Sequence, residues 1–582
     1  MSLYYQNYKK AADALATGQD VTVDGAFIIA RALAEQGIDT VFGIVGFPVI
    51  EIAEAMTANG IHYIGMRNEQ AASYAAQAYG YLKGVPGCCL TVSGPGVIHA
   101  LAGLSNAKEN AWPIILIGGA QEARQEGMGG FQEYPQVEAC RPYCKFSGRP
   151  PNLSRIPFFV EKAVRAAVYG RPGASYIDMP ADTITDQINA SKVEWRPHHP
   201  PLPVSLADPS AVAVAAKLLK AASRPLIIVG KGAGWARAEK ETKALVESTG
   251  IPFLPTPMGK GVVDDTHPQN VIPARSDALK GADVVVLVGA RFNWIMHFGT
   301  EPRYAKDLKV IQIDIEAEEM SNNVPAAAAL LGHLPLVLDQ LTTAAKQAGV
   351  RHSSDSAWWK QLRAKIEKNV KVSADLMADE TLPMSYYRAF KEIKQNMPAK
   401  FFFVSEGSNT MDIARTIFDQ VHPRTRLDAG TFGTMGVGSG FAIAGALARP
   451  DLRTVVVQGD SAFGFSGMEI ETVARLKLPI IWIIINNNGI GVGVDGENYQ
   501  VLAEKRILPS NALLPEVNYE KFAEAVGGKG YICHTPSEIT SAMRDALQSD
   551  KLAIINVMIS PSGSRKAQSF NWLERKAPET KI

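Results

Sequence analysis

Short continuous apolar runs rich in β-branched residues alternate along the chain with stretches whose apolar positions repeat at helical spacing. Runs at 40–45 and 88–92 precede helical patterns at 51–56 and 99–110, and a further run lies at 113–118. Later runs fall at 225–229, 283–288, 310–315, 401–404, 454–457 and 480–486. Strands apolar on both faces must be covered on both, and an intervening helix makes successive strands parallel. The pattern predicts an α/β protein of doubly wound parallel sheets. Two polar stretches interrupt it: 194–208, with Pro197, Pro200, Pro201 and Pro203, and 346–358, with its Ser, Asp and His residues. They predict three domains, 1–193, 205–345 and 359–561, followed by a tail at 562–582. No short-period repeat or low-complexity tract is visible in the sequence.

Composition changes this picture little. The 582 residues are 46% hydrophobic and 20% charged, with a net charge of +1, so charge gives no pull towards nucleic acid or a membrane surface. No apolar run reaches the ~18 residues of a spanning helix. The first ten residues lack the apolar core of a secretory signal. Five irregularly spaced cysteines, Cys88, Cys89, Cys140, Cys144 and Cys533, read as reduced thiols. Cys140 and Cys144 have no neighbouring His/Cys pair to complete a zinc set. These features predict a cytoplasmic protein and fit a small-molecule enzyme, as they fit many other proteins. The last residues, Thr580-Lys581-Ile582, only loosely resemble a peroxisomal address, the alternative location.

The third segment carries the sharpest chemistry. An apolar run ends in Gly459-Asp460-Ser461, a small-residue helical stretch with Glu469 and Glu471 follows, and the next run ends in Asn486-Asn487-Asn488-Gly489. One strand–helix–strand unit brings both run ends to the same sheet edge. Asp460, Asn487 and the carbonyl of Gly489 then form a hard oxygen set suited to Mg²⁺. The amides of Ser461 and Ala462, at a helix start, suit a diphosphate. The plainer alternative is an Asp cap and an Asn-Gly turn that happen to share this spacing.

Other segments carry further motifs. They include Asn68-Glu69-Gln70-Ala71-Ala72, Ser93-Gly94-Pro95-Gly96 and Gly130-Phe131-Gln132-Glu133. Pro255-Thr256-Pro257-Met258-Gly259-Lys260-Gly261 and Gly289-Ala290-Arg291-Phe292-Asn293-Trp294 follow. Ser405-Glu406-Gly407-Ser408-Asn409-Thr410-Met411-Asp412, Gly430-Thr431-Phe432-Gly433-Thr434-Met435-Gly436 and Arg565-Lys566-Ala567-Gln568 complete the set. With Gly-Asp and Asn-Asn one βαβ unit apart, the chain resembles the thiamine-diphosphate enzymes from end to end. It is most similar to the 2-hydroxyacyl-CoA lyases, with oxalyl-CoA decarboxylases as near kin and acetohydroxyacid synthases more distant. The resemblance implies pyrimidine-binding, central Rossmann-like and diphosphate-binding domains, in that order. It also implies thiamine diphosphate and Mg²⁺ as cofactors, and acyl-CoA and aldehyde as reactants.

Site roles follow from the same resemblance. Glu69 matches the glutamate that exchanges a proton with N1′ of the aminopyrimidine, and Met435 matches the apolar wedge under the cofactor. The carbonyl of Gly433 matches an acceptor for its amino group, with Thr434 alongside. Tyr386, Ser408, Asn409 and Thr410 match cofactor contacts. Phe47, Phe131, Arg275, Asn369, Arg415 and Arg565 match coenzyme A contacts, and Gln132 matches a hydrogen-bonding group at the reacting oxygen. Arg171, Lys231, Arg291 and Asp314 match an ADP-like nucleotide site in the central domain, with a ligand-free vestigial fold as the alternative. The glutamate and the diphosphate site are implied to come from different subunits, which requires a homodimer and suggests a homotetramer. The tail, with Arg565, Lys566, Phe570 and Trp572 after Gly563, is expected to be a lid over the thioester.

One departure stands out. The resembling enzymes read Asn-Asn-Gly-Ile-Tyr, whereas here Gly491 replaces the aromatic. Rival readings also stand. The Phe-Gln-Glu run at 131–133 leans towards the lyases over the decarboxylases, and a synthase would need flavin. A nicotinamide oxidoreductase would use the glycine turn at 230–234. A non-catalytic homologue would have no use for Glu69, Asp460 and Asn487.

Overall fold

The computed structural model describes residues 2–563. Arg565 and the rest of the proposed lid therefore lie outside the described residues. Three parallel sheets form the frame, as the periodicity predicts. The first holds, in spatial order, His62–Gly65, Thr40–Gly43, Gly87–Thr91, Ile114–Ala120, Ala174–Pro180 and Cys144–Gly148. The second holds Phe253–Pro255, Pro225–Val229, Val284–Val288, Lys309–Asp314 and Ala326–Leu331. The third holds Arg426–Asp428, Phe401–Glu406, Arg453–Gly459, Ile481–Asn486, Ala553–Met558 and Lys529–Cys533.

The first and third sheets have one topology, and the second begins in the same way. In each, the chain lays its second strand on one side of the first and its third strand on the other. The crevice between the first and third strands, at their C-terminal ends, is where such folds bind ligands. In the third domain Ser408, Asp460 and Asn487 follow the C-terminal ends of neighbouring strands, and in the central domain Lys231, Arg291 and Asp314 do.

Burial explains the runs. Val455, Val457, Ile481, Ile483 and Ile485 pack on one face of the third sheet. Val456, Trp482 and Ile484 pack on the other. That second face continues without a break into the first domain. Its core includes Phe42, Cys89, Ile114 and Leu116, with the helices Glu69–Lys83 and Gly438–Ala448 between the two sheets. Trp112 stacks on Tyr81 at 5.1 Å and tilts against Phe441 at 5.3 Å, joining the domains with aromatic contacts. The central sheet has its own two cores. Trp358, Trp359 and Leu362 pack into one of them, so the first turns of helix Ala357–Ala378 sit on the central domain.

Two local differences from the sequence reading have plain causes. The stretch after Asp460 is two helices, Asp460–Gly464 and Glu469–Arg475, because Gly464 and Gly467 weaken the turn between them. The edge strand Ala326–Leu331 is an apolar run of alanine and leucine without β-branched residues, so its composition favours helix and gave no strand signal, and its burial alternates.

Candidate active site

At the crevice of the third sheet, strand Arg453–Gly459 ends at Asp460 and strand Ile481–Asn486 ends at Asn487. The Asp460 carboxylate accepts the backbone N–H of Ser461 at 2.8 Å and of Gly489 at 3.1 Å. The second bond ties the two strand ends together. Burial pushes the Asp460 carboxyl up to about 6, and among the described residues no cationic side chain pairs with it. Asn487 donates its amide nitrogen to the carbonyl of Gly491 at 3.0 Å, which leaves its oxygen as the atom for a cation. One carboxylate, one amide oxygen and backbone carbonyls are a hard donor set without sulfur or imidazole. Among the described residues no cluster of three His, Cys, Asp or Glu offers a competing metal site. A buried carboxylate with only amide partners fits a resident Mg²⁺.

The surrounding residues converge on the same edge. Ser408 starts helix Ser408–Ile417, and Asn409 donates to the carbonyl of Gly491 at 3.1 Å. Tyr386 is buried against Asn409 and Thr410, and burial together with the Asp460 charge pushes its phenol up to about 12. The helix Asp460–Gly464 carries Ser461 and Ala462, with the Ser461 N–H turned back to Asp460. Gly433 and Gly491 have φ of +69° and +82°, and a Cβ on either would meet nothing within 4 Å. The space at Gly491, whose carbonyl accepts from Asn409 and Asn487, lies at the same edge as Asp460 and is open to a cofactor. Where the resembling enzymes carry an aromatic, this chain has a left-handed glycine whose carbonyl takes two side-chain amides.

Glu69 opens helix Glu69–Lys83, directly after the Asn68 cap. Its carboxylate meets Nδ1 of His99 at 3.1 Å. Among the described residues no hydrogen bond joins it to residues 433–435, 460, 487 or 489. Phe47 and Phe131 meet edge to face at 6.0 Å across the first domain's crevice. Gln132 follows, its side-chain oxygen accepting from Ser93 at 2.9 Å. Glu133 accepts the N–H groups of Gly127, Gly129 and Gly130, which hold its carboxyl below the usual range and shape this loop. Thr434 accepts the amide of Asn106 at 2.6 Å, so the loop at 433–435 is tied to the first domain.

The four candidate nucleotide residues line one cavity of about 360 Å³, bordered by Gly430 and Thr431. Arg171 pairs with Glu319 at 2.6 Å, Arg291 donates to the Glu109 carbonyl at 2.8 Å, and Lys231 reaches the Asn110 carbonyl. Burial and the two arginines push the Lys231 ammonium well down. The coenzyme A candidates divide. Asn369 donates to the Pro273 carbonyl at 2.7 Å, two residues from Arg275, whose guanidinium meets Ile295 and His297. Arg415 is near enough for its charge to act on Arg275, but it is held between Asp412 and Asp428 at 2.9 Å each.

The sequence reading missed two buried carboxylates. Glu406, from the third sheet, accepts the N–H groups of Gly436, Val437 and Gly438. Glu469 accepts those of Arg67 and Asn68 at 3.0 and 3.1 Å, fixing the chain just before Glu69. Both stand in motif stretches, but nothing local marks a carboxylate whose partners are backbone amides tens or hundreds of residues away.

Three family models match in order: the thiamine pyrophosphate enzyme N-terminal TPP binding domain over 23–139, the central domain over 212–341, and the C-terminal TPP binding domain over 405–557. Thiamine pyrophosphate is thiamine diphosphate. The chain is 53% identical to 2-hydroxyacyl-CoA lyase 1 of Mus musculus, over 95% of this chain and 97% of that protein. It is 42% identical to 2-hydroxyacyl-CoA lyase of Arabidopsis thaliana, over 93% and 96%. It is 38% identical to oxalyl-CoA decarboxylase of Escherichia coli (strain K12), over 95% and 98%. With three ordered domain matches and near-complete alignments, the chain belongs to the thiamine pyrophosphate enzymes and, among them, to the family of the 2-hydroxyacyl-CoA lyases.

Proposed function

We propose that the chain is a carbon–carbon lyase that cleaves a 2-hydroxyacyl-CoA to formyl-CoA and an aldehyde one carbon shorter, and can join them in reverse. The observation that carries this reading is the convergence of Asp460, Asn487, Asn409 and Tyr386 on one open edge of the third sheet. Thiamine diphosphate, when bound, supplies a carbon nucleophile and a store for the electrons of the broken C1–C2 bond. Asp460, Asn487 and the Gly489 carbonyl hold Mg²⁺, while Ser408, Asn409, Thr410, Tyr386, Ser461 and Ala462 hold the diphosphate end. Glu69 would be the residue to exchange a proton with the aminopyrimidine when the cofactor is bound, and Met435 and Gly433 would support that ring. Gln132 hydrogen-bonds the reacting oxygen. Phe47 and Phe131 cover the thioester. In the net reaction the 2-hydroxyl proton leaves that oxygen as the aldehyde forms, and one proton is returned to the former thioester carbon.

The smallest active unit is a homodimer, with a homotetramer as the expected assembly. Support comes from the exposed apolar side chains Phe47, Phe131, Phe432, Phe465, Met468 and Ile490 around both halves of the site. The cavity lined by Arg171, Lys231, Arg291 and Asp314 is read as the site of an ADP-like nucleotide, with Arg171 and Arg291 as the cations that would meet its phosphates.

The deciding experiment incubates the protein, thiamine diphosphate and Mg²⁺ with several 2-hydroxyacyl-CoAs and follows the coenzyme A products by mass spectrometry. Formyl-CoA with the matching aldehyde is expected. Inertness to every 2-hydroxyacyl-CoA, alongside CO₂ release from oxalyl-CoA, would assign the decarboxylase reaction instead.

A further inference from the structure

Glu406 ends strand Phe401–Glu406, beside its register partner Gln458. Its side chain is fully buried. Gln458 donates to it at 2.6 Å and accepts the indole N–H of Trp482 at 2.8 Å, so three neighbouring strands hold the carboxylate in place. Its other partners are the N–H groups of three consecutive residues: Gly436, Val437 at 3.2 Å and Gly438 at 2.7 Å. These amides open helix Gly438–Ala448, whose dipole also favours an anion there. Gly438 is required by the approach, since a Cβ would lie 2.5 Å from the carboxylate.

Such a group is expensive. Among the described residues no cation pairs with it, and burial pushes its carboxyl up to about 7. An apolar residue would fill the strand end at lower cost. A carboxylate does what an apolar residue cannot: it pins three successive amides of one loop to the sheet edge. Residues 433–435 come immediately before those amides.

We propose that Glu406 is a positioning residue: by anchoring Gly436, Val437 and Gly438 to the sheet edge, it sets where residues 433–435 stand against the cofactor. The inference rests on the proposed function, which assigns those residues to the aminopyrimidine. It needs no contact between Glu406 and cofactor or substrate.

The test compares wild type with Glu406→Gln and Glu406→Asp at pH 8.5, with and without Mg²⁺ and thiamine diphosphate. In Glu406→Gln an NH₂ group must face amide donors. Backbone hydrogen–deuterium exchange over 430–438 should then quicken about tenfold or more, with strand Arg453–Gly459 unchanged. Exchange of the C2 proton on bound thiamine diphosphate should slow about 10–100-fold, because sub-ångström misplacement is costly. KM for a 2-hydroxyacyl-CoA should stay within about twofold while kcat falls. Glu406→Asp should recover part of both effects. If Glu406→Gln does not fold, Gln458→Leu removes one donor and should give the same pattern, smaller. Unchanged protection over 430–438 overturns the anchor, and loosened protection with wild-type C2 exchange overturns the positioning role. Wild type without Mg²⁺-dependent cofactor binding by calorimetry would overturn the functional reading and this inference with it, before any variant is made.

Discussion

Replacing Asp428 by Asn should destabilise the protein more than any surface change. The Asp428 side chain is fully buried and accepts from Arg415 at 2.9 Å, Arg426 at 3.3 Å and the Gly430 N–H at 3.0 Å. Burial pushes this carboxyl up, but the two guanidiniums outweigh it and hold it at about 2, against an ordinary 3.8. That depression is worth ~2–3 kcal/mol. The sign follows from its direction: the stabilisation is complete above pH 3.8 and is lost as pH falls through about 2. Substitution costs more than protonation, since the arginines lose their anionic partner in both cases and the asparagine also turns an NH₂ donor towards donors. Breaking a buried pair in this way costs ~3–5 kcal/mol. At ~2–4 °C per kcal/mol for a domain of this size, the third domain should melt about 10 °C lower. A thermal melt read by near-ultraviolet circular dichroism, repeated between pH 7 and pH 2, measures both quantities. The gap between wild type and Asp428→Asn should narrow as the pH drops, because wild type loses the same ion pairs. A variant within ~1 kcal/mol of wild type at pH 7 would refute the argument from buried pairing.

Asp460→Ala should abolish Mg²⁺-dependent retention of thiamine diphosphate without lowering the cofactor-free melting temperature; calorimetric binding at wild-type strength would place the metal elsewhere. Glu69→Gln should keep the cofactor bound but slow C2 proton exchange by roughly 10²–10⁴, and an unchanged rate by NMR would remove it from the mechanism. Mixing Glu69→Gln with Asp460→Ala subunits should restore some activity, since one site of each mixed dimer keeps both residues; no recovery despite proven subunit exchange would mean each site is built within one chain. Gly491→Tyr should cost ~1–2 kcal/mol of stability from its left-handed backbone, read by chemical denaturation, and no loss at all would show that the loop can refold around an aromatic.

The sequence by itself determined the parts that depend on near neighbours. Apolar runs of strand length cannot face water on either side, so 454–457 and 480–486 had to be central strands, and the parallel α/β class followed. Asp460 and Asn487 were legible for the same reason: one strand–helix–strand unit has few ways to close, and all of them bring both strand ends to one edge. Tertiary structure decided what depends on partners distant along the chain. Glu406 and Glu469 are acidic residues in ordinary motif stretches until folding sets each against amides of another segment. Arg415 has the charge to meet a phosphate, yet the fold places two carboxylates on it. Lys231, Arg291 and Asp314 end or follow adjacent strands of the central sheet, but Arg171 reaches their cavity only because the first and central domains pack together. Backbone periodicity is a local constraint and can be read along the chain. The pairing of a buried charge is satisfied through space, and only the folded arrangement shows which partner it found.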